Sequence, residues 1–240
     1  MNVEFPDPAG LLIALARMAD VEELDPSELG TMEYWTSAYK QEVQTFSETG
    51  DPGEVWFGEA AGARMVQWLE RHPEHVRGDA LVLDVGCGNG VLSVDLAREG
   101  FEVVGVDYCL EAVILSRQVA EKEGQEVTFE VCDILEDPLK SDCQAMKRIY
   151  DVVVDKGTFD AISLGETALD DKRTYVKNVA SVLEPEGLLL ITSCNWTEEE
   201  LTAQFCDHFT VHSALPTPSF SFGGQTGHNV TTVVFRKVKS

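Results

Sequence analysis

Three glycines, separated by single residues, follow an aspartate in the segment LVLDVGCGNG, residues 81–90. The apolar start of this segment predicts a buried strand, and the pattern VLSVDLARE directly after it predicts a helix. Glycines between a strand and a helix allow a ligand to approach the backbone closely. The segment therefore predicts the first unit of a nucleotide-binding α/β fold, and the spacing of its glycines indicates which cofactor it binds.

The glycine spacing differs from the G-x-G-x-x-G pattern of dinucleotide-binding proteins. Gly86 and Gly88 fit that pattern, but Val91 stands where its third glycine is required, and the third glycine comes one residue early, at Gly90. With Asp84 two residues ahead, the pattern D-x-G-x-G-x-G resembles the first motif of class I methyltransferases that use S-adenosylmethionine. The resemblance implies that the glycine backbone lies against the methionyl part of this cofactor, and that Asp84 helps to hold its amino group.

Acidic residues also end the next two predicted strands. Asp107 ends the segment GVD, 21 residues after Gly86, and a carboxylate at this place can accept hydrogen bonds from both ribose hydroxyls. Tyr108 beside it is expected to lie against the adenine. Asp133, in VCDI, can accept a hydrogen bond from the adenine amino group, and Ile134 offers an apolar contact. Because the carboxyl ends of parallel strands meet at one edge of a sheet, we expect these residues in one cofactor site.

The substrate side of such a site needs few reactive groups, because the methyl sulfonium of the cofactor is already a strong electrophile. The protein has to position a nucleophile and exclude water, and aromatic faces can stabilise a cation. We predict catalytic roles for Asp155, in VVVDKGTFDAI, and for Asn195 and Trp196, in LLITSCNWT. Trp56, in EVWFGE, is predicted to cover the cofactor. The alternatives are a helix cap for Asp155 and ordinary packing for the two tryptophans.

Strand and helix patterns alternate from residue 81 onward, which is typical of a doubly wound, mostly parallel sheet. The predicted strands are Leu81–Val85, Glu102–Asp107, Val127–Cys132, Tyr150–Asp155, Leu188–Thr192, Phe209–Ser213 and Asn229–Val238. Helices are predicted over residues 60–70, 90–98, 110–123 and 172–183, and from Thr197, which forms a capping-box pattern with Glu200. We therefore expect a seven-stranded, Rossmann-like α/β domain over residues 31–240, with LPTPSFSFGGQTGH as a loop between its last two strands.

An acidic extension over residues 1–30 precedes this domain. Its apolar run Gly10–Ala19 follows a segment without Lys or Arg and is too short to span a bilayer. We expect an amphipathic helix or a partly ordered tail there, and not a signal peptide. Aromatic residues then recur near helical spacing at Tyr34, Trp35, Tyr39 and Phe46, which predicts a helix whose aromatic side packs on the core.

The charge of the chain restricts its partners. The formal net charge is −24, and residues 1–59 hold thirteen acidic and two basic side chains. Such a surface repels nucleic acids and anionic membranes and attracts basic partners, although an acidic surface can also serve solubility alone. We therefore expect no nucleic acid and no membrane as partner. A monomer is a separate expectation.

The cysteines indicate a reducing compartment. Six cysteines are scattered without a C-x-x-C pair, and several lie in apolar strand patterns, where a thiol behaves as a small apolar side chain. This predicts reduced thiols, with neither a zinc site nor a disulfide framework. We expect a cytoplasmic protein, with the nucleus as a second location.

Five segments together narrow the resemblance: EVWFGE, DVGCGNG, VDKGTFDAIS, LLLITSCNWT and PTPSFSFGG. They resemble the eukaryotic lysine methyltransferases that act on translation elongation factor 1-alpha, in the methyltransferase-like 10 group with its yeast counterpart. The resemblance extends from about Leu29 to Phe235. It implies transfer of methyl groups from S-adenosylmethionine to a lysine ε-amine of the elongation factor, a basic protein, up to trimethylation.

Three alternative functions stay open at this point. A methyltransferase acting on another protein or a small molecule has the same cofactor motifs, because the fold does not determine the substrate. The early third glycine argues against an NAD-dependent oxidoreductase. The complete set of cofactor-motif residues argues against a non-catalytic binding module; these are Asp84, Gly86, Gly88 and Asp107.

Overall fold

The computed structural model describes residues 21–216, 219–222, 225–228 and 230–239. The helix predicted within Gly10–Ala19 lies outside these residues. The α-helices in the described part are α1 (Met32–Thr49), α2 (Glu59–Arg71), α3 (Val91–Arg98), α4 (Leu110–Glu123), α5 (Thr158–Ile162), α6 (Ala168–Val182) and α7 (Glu198–Phe205). The strands are β1 (Leu81–Val85), β2 (Glu102–Asp107), β3 (Thr128–Val131), β4 (Tyr150–Lys156), β5 (Leu183–Ser193), β6 (Phe209–Leu215), β7 (Ser219–Phe222), β8 (Gln225–His228) and β9 (Thr231–Lys237).

Seven of these strands form one sheet in the order β3-β2-β1-β4-β5-β9-β6. The pairs β1-β2, β2-β3, β1-β4 and β4-β5 are parallel, and β9 runs antiparallel to both of its neighbours. The predicted doubly wound, mostly parallel seven-stranded α/β sheet is thereby confirmed. Because the strand order reverses between β1 and β4, the carboxyl ends of these two strands border the crevice where open α/β sheets bind ligands.

The central strands are buried on both faces, because successive side chains point to opposite sides of the sheet. On one side, Leu83 belongs to a buried cluster with Tyr175 of α6 and Phe205 of α7. On the other side, Val82 belongs to a cluster with Met65 of α2. The sheet is therefore covered by helices on both faces, and this packing positions the strand ends at the crevice.

Helix α1 packs on the sheet domain through its aromatic side. Tyr39, Val43 and Phe46 lie against a buried cluster that includes Val113 and Val119 of α4. The Thr31 side chain caps the start of α1 by accepting a hydrogen bond from the Tyr34 N–H. The aromatic spacing in this segment therefore has the packing role that the sequence predicted.

The described end of the acidic extension is also attached to the domain. Leu24 is partly buried against the main core cluster, and the Glu23 carboxylate pairs with the Lys172 ammonium at 2.8 Å. The Ser27 N–H donates to the Leu164 carbonyl at 3.0 Å. Residues 21–30 are therefore packed against the domain that follows them.

The structure differs from the prediction in the segment before the last strand. The segment LPTPSFSFGGQTGH was expected to be a loop, but β7 and β8 within it form an antiparallel pair. The sequence carries a signal for this pair, since serine alternates with phenylalanine before two consecutive glycines.

Strand β5 begins earlier than predicted. Tyr150 pairs with Leu183, and the pairing then moves to Val152 and Leu188. Residues 184–187, which separate the predicted helix from the predicted strand, are therefore an irregularity inside β5, where Glu186 has a φ of 66°. Helix α6 also begins four residues earlier than predicted, at Ala168, with two aspartates in its first turn, where they complement the helix dipole.

Candidate active site

A cavity of about 190 Å³ lies at the carboxyl ends of β1, β2 and β4, at the switch point of the sheet. Its walls also include the segment after β3, helix α5 and parts of the N-terminal segment between residues 30 and 56. The predicted site residues in these walls are Trp56, Gly86, Gly88, Asp107, Tyr108, Asp133 and Ile134. Asp84 lines a smaller cavity beside it, and Asp155, Asn195 and Trp196 line neither of the two.

The glycine turn after β1 requires glycine at several positions. Gly86, Gly88 and Gly90 have φ values of 64°, 54° and 78°, a region that L-residues with side chains rarely adopt. A Cβ at Gly86 would overlap the hydroxyl of Thr158, and a Cβ at Gly88 would lie 2.5 Å from the hydroxyl of Tyr39. The glycines therefore let the chain pass close to Thr158 and Tyr39. The same turn lines the cavity as a backbone cradle, where the methionyl part of S-adenosylmethionine is predicted to lie.

Asp107 joins this turn to the end of β2. Its carboxylate accepts hydrogen bonds from the Gly88 N–H at 3.1 Å and from the Cys109 N–H at 2.9 Å. The residue is 6% exposed, and burial raises the pKa of its carboxyl to about 6, against the lowering effect of the two N–H groups. The position fits the predicted ribose contact, which stays a prediction.

Asp84 supports the glycine turn from the strand side. It is 2% exposed, and its carboxylate accepts a hydrogen bond from the Ser93 hydroxyl at 2.6 Å. Burial raises the pKa of Asp84 to about 6, while Ser93 and the positive charge of Lys156 lower it. The predicted role of Asp84 in holding the cofactor amino group is untested by this geometry.

The predicted adenine contacts lie together at another part of the cavity wall. Tyr108, Asp133 and Ile134 come from the ends of β2 and β3. The Asp133 carboxylate accepts the Leu135 N–H at 2.9 Å, and burial raises the pKa of this carboxyl. Ile134, which is 6% exposed, makes the wall apolar here, beside the Asp133 carboxylate as a hydrogen-bond acceptor. An adenine ring requires both features.

Aromatic side chains from the N-terminal segment form another wall. Trp56 lies with its ring centroid 4.9 Å from that of Trp35, which in turn stacks on Tyr39 at 6.0 Å. The Trp35 indole N–H donates to the Leu29 carbonyl at 2.8 Å. Sequence reasoning assigned Trp35 and Tyr39 to core packing, but both line the cavity. Tyr39 does both, since it also packs against the buried cluster of α4, and the aromatic spacing alone does not distinguish the two roles.

Lys156 is a lining residue that sequence reasoning missed. It ends β4, and its ammonium donates to the Trp56 carbonyl at 3.1 Å. Burial lowers the pKa of Lys156, and the charges of Asp84 and Asp155 act in the opposite direction. The available signal was a lysine directly after an apolar strand, in VVVDKG.

Asp155 lies near the end of β4, where its carboxylate caps the start of α5, and it does not line the cavity. It is 0% exposed, and its carboxylate accepts from the Thr158 N–H at 2.9 Å, the Phe159 N–H at 3.0 Å and the Tyr175 hydroxyl at 2.5 Å. Burial raises the pKa of Asp155 to about 7. These contacts match the helix-cap alternative, and the catalytic role stays a prediction without support from the geometry.

Trp196 has contacts of its own within the fold. It is 3% exposed, its indole N–H donates to the Ser163 hydroxyl at 3.1 Å, and the Lys172 ammonium lies 4.7 Å from its ring centroid. The aromatic face that could receive a substrate cation thus holds a lysine of the same chain. The neighbouring Asn195 N–H donates to the Ser193 hydroxyl at 3.1 Å, so both residues are tied to β5 and not to the cavity.

Replacing Gly86 by alanine should abolish binding of S-adenosylhomocysteine, the product of the predicted cofactor, and destabilise the protein. The left-handed backbone costs a residue with a side chain about 1–2 kcal/mol, and the overlap with Thr158 adds to this cost. Gly124→Ala is the matched control, because Gly124 also has a positive φ, of 66°, but has nothing within 4 Å of an added Cβ. Calorimetric titration and chemical denaturation would measure both effects, and equal losses in the two variants would contradict the assignment.

Binding of S-adenosylhomocysteine should weaken as the pH falls through about 6, the pKa of Asp107. Protonation removes acceptor sites from the carboxylate, so the ribose hydroxyls lose a partner on the acidic side of this value. The variant Asp107→Asn should bind S-adenosylhomocysteine more weakly and with a shallower pH dependence. The control Asp142→Asn, at an exposed position, should change neither the affinity nor its pH dependence. Calorimetric titration across this pH range would test both expectations, and an unchanged profile for Asp107→Asn would refute the ribose contact.

Asp155→Ala should lower the free energy of unfolding, because three donors lose their buried acceptor, and each buried unpaired group costs about 1–3 kcal/mol. Tyr175→Phe should have a smaller effect, since the two backbone N–H groups keep their partner. Denaturant unfolding and binding of S-adenosylhomocysteine would be measured for both. A variant of Asp155 with normal stability and normal binding, but without turnover, would instead establish the catalytic role.

Comparison with known proteins agrees with the site geometry. A family model described as "Methyltransferase domain" matches residues 77–235. EEF1A lysine methyltransferase 2 of Homo sapiens is 45% identical over 216 residues, which cover 89% of this chain and 88% of that protein. Protein-lysine N-methyltransferase efm4 of Schizosaccharomyces pombe is 40% identical, with 89% of this chain and 95% of that protein covered.

A solved structure agrees with the fold. Magnesium protoporphyrin IX methyltransferase from Synechocystis PCC 6803, determined with bound S-adenosylmethionine, superposes with a TM-score of 0.55 at 16% identity, over 100% of both chains. The glycine cradle and the buried Asp107 fit S-adenosylmethionine, the cofactor of the methyltransferase family that the chain matches. The chain belongs to the S-adenosylmethionine-dependent methyltransferases and, within them, to the family of EEF1A lysine methyltransferase 2 and efm4.

Proposed function

We propose that this protein transfers methyl groups from S-adenosylmethionine to a lysine of translation elongation factor 1-alpha. The observation that carries the proposal is the 45% and 40% identity to two lysine methyltransferases, one of them named for this factor, over 89% of the chain. An alignment of that extent has to include most of residues 30–56, which supply the aromatic wall of the cavity. The likeness therefore extends beyond the cofactor motifs to the substrate side.

When bound, the cofactor supplies the activated methyl group, so the tasks of the protein are to bind, orient and exclude water. The glycine cradle and Asp107 hold the cofactor from the sheet edge. The aromatic wall of Trp35, Tyr39 and Trp56 covers the cavity from the N-terminal side. Enclosure on both sides keeps water from the reacting atoms.

The walls also suit a lysine nucleophile. Glu54, Asp133 and Asp171 line the cavity, and their carboxylates attract the cationic form of a lysine. Loss of water then favours transfer of the ammonium proton to one of these carboxylates, because burial disfavours both charged forms. Aromatic faces stabilise methylated ammonium groups as well, and this supports repeated methylation up to the trimethyl state.

The charge of the chain supports a basic protein as partner. With a formal net charge of −24, the surface favours encounters with basic proteins over nucleic acids or anionic membranes. Among the described residues, no helix is both long and apolar enough to cross a membrane. We propose a monomer in the cytoplasm, with the nucleus as a second location.

Incubation of the purified protein with S-adenosylmethionine and recombinant elongation factor 1-alpha should add up to three methyl groups to one lysine of the factor. Peptide mapping by mass spectrometry would locate that lysine and count the groups. Asp107→Ala should lose this activity because the cofactor is bound weakly, whereas the control Gly124→Ala should keep it.

Two results would contradict the proposal. If the protein bound S-adenosylhomocysteine but methylated another protein or a small molecule in a cell extract, and left the factor unmodified, the substrate would be wrong. If only the monomethyl product formed at saturating cofactor, the proposed trimethylation would be wrong.

A further inference from the structure

Lys156 carries the one basic side chain in the walls of the two cavities at the glycine turn, as far as the chain is described. The acidic residues in these walls are Glu54, Asp84, Asp107, Asp133 and Asp171. A single cation among carboxylates either neutralises one of them or faces an anionic group of the ligand. The contacts of Lys156 distinguish the two cases.

Lys156 lies between the two cavities and lines both. Its ammonium donates to the Trp56 carbonyl at 3.1 Å, and an ammonium group has further N–H donors to offer. Val154 pairs with Asp84 across β4 and β1, so the alternation along β4 places Lys156 and Asp84 on the same side of the sheet. Asp84 already accepts the Ser93 hydroxyl at 2.6 Å.

Lys156 is half-buried, and a cation that is partly removed from water is stabilised by a partner. Burial lowers the pKa of Lys156, and the nearby carboxylates Asp84 and Asp155 oppose that effect without an ion-pair contact to Lys156 among the described residues. A charged group in such surroundings is costly unless it is paired and hydrogen-bonded. A neutral carbonyl as acceptor leaves most of the charge uncompensated.

We infer that Lys156 binds the carboxylate of the methionyl tail of the cofactor, while the Trp56 carbonyl holds the ammonium in place. That carboxylate is the one anionic group of S-adenosylmethionine, and the acidic residues in the walls would repel it. The methionyl tail belongs at the glycine turn, directly beside Lys156. This inference rests on the cofactor of the proposed function and is independent of its protein substrate.

The hydrogen bond between the Lys156 ammonium and the Trp56 carbonyl also positions the segment that carries Trp56. The segment 50–58, which carries Trp56, is joined to the sheet edge by the Lys156 ammonium. Phe57 in this segment has a φ of 64°, and Gly157 lies against its ring, since a Cβ on Gly157 would lie 3.1 Å from Phe57. The same lysine that is proposed to bind the cofactor carboxylate therefore also ties down the segment that covers the cavity.

The test compares two ligands that differ by the carboxylate alone: S-adenosylhomocysteine and its decarboxylated analogue, which keeps the amine. Lys156→Met should lose about 10- to 100-fold in affinity for S-adenosylhomocysteine, the range of a charge-assisted hydrogen bond. Its affinity for the decarboxylated analogue should stay within about threefold of the unmodified protein, since the lost charge has no partner on that ligand. Calorimetric titration measures each affinity directly.

Lys156→Arg should recover part of the affinity for S-adenosylhomocysteine, because it keeps the charge. The exposed Lys140, which pairs with Asp137 at 3.2 Å, provides the matched control, and Lys140→Met should leave both affinities unchanged. Thermal unfolding without ligand would establish that each variant is folded, and Lys156→Gln would replace Lys156→Met if the latter were not.

Equal losses for the two ligands would overturn the inference and assign Lys156 to holding the Trp56 segment alone. Unchanged affinity for both ligands would overturn it as well. A failure of the proposed function would look different, because the unmodified protein would then bind S-adenosylhomocysteine through Lys156 and leave the elongation factor unmethylated.

Discussion

The buried carboxylate of Asp107 fixes the backbone on which the cofactor site depends. One of its oxygens accepts the N–H of Gly88 in the turn after β1, and the other accepts the N–H of Cys109 at the start of α4. Two loops that follow neighbouring parallel strands are thereby held by one side chain. The left-handed backbone at Gly88 would otherwise have to be maintained by the turn alone, with the Tyr39 hydroxyl packed above it.

Charge burial is concentrated at this edge of the sheet. Burial raises the pKa of Asp84 and Asp107 to about 6 and that of Asp155 to about 7. A carboxyl whose pKa is higher in the folded than in the unfolded protein stabilises the fold at a pH below its ordinary pKa, and this stability is lost as the pH rises through the folded value. Near neutral pH these charges therefore cost stability, which the donors around them partly offset. Such groups cluster where ligands bind.

The parts of the site that are contiguous in sequence could be predicted from it. The glycine turn and Asp107 follow from strand ends, because β1 and β2 have the predicted bounds. The surroundings of Asp155 and Trp196 could not be predicted in this way. Asp155 contacts Tyr175 and Trp196 contacts Lys172, and both partners lie on α6, some 20 residues away in the sequence. A side chain at a strand end can point to the crevice or into a helix N-terminus, and local sequence does not distinguish these cases.

The N-terminal segment adds a wall to the cavity from outside the general methyltransferase domain. The general methyltransferase model matches from residue 77 onward, and these residues supply the cofactor edge. Trp35, Tyr39, Glu54 and Trp56, which close the cavity, all precede that point. Lys156 joins the two parts, because its ammonium reaches back 100 residues to the Trp56 carbonyl. Since the wall opposite the cofactor edge comes from outside the shared domain, changes there can alter the substrate without disturbing the glycine turn.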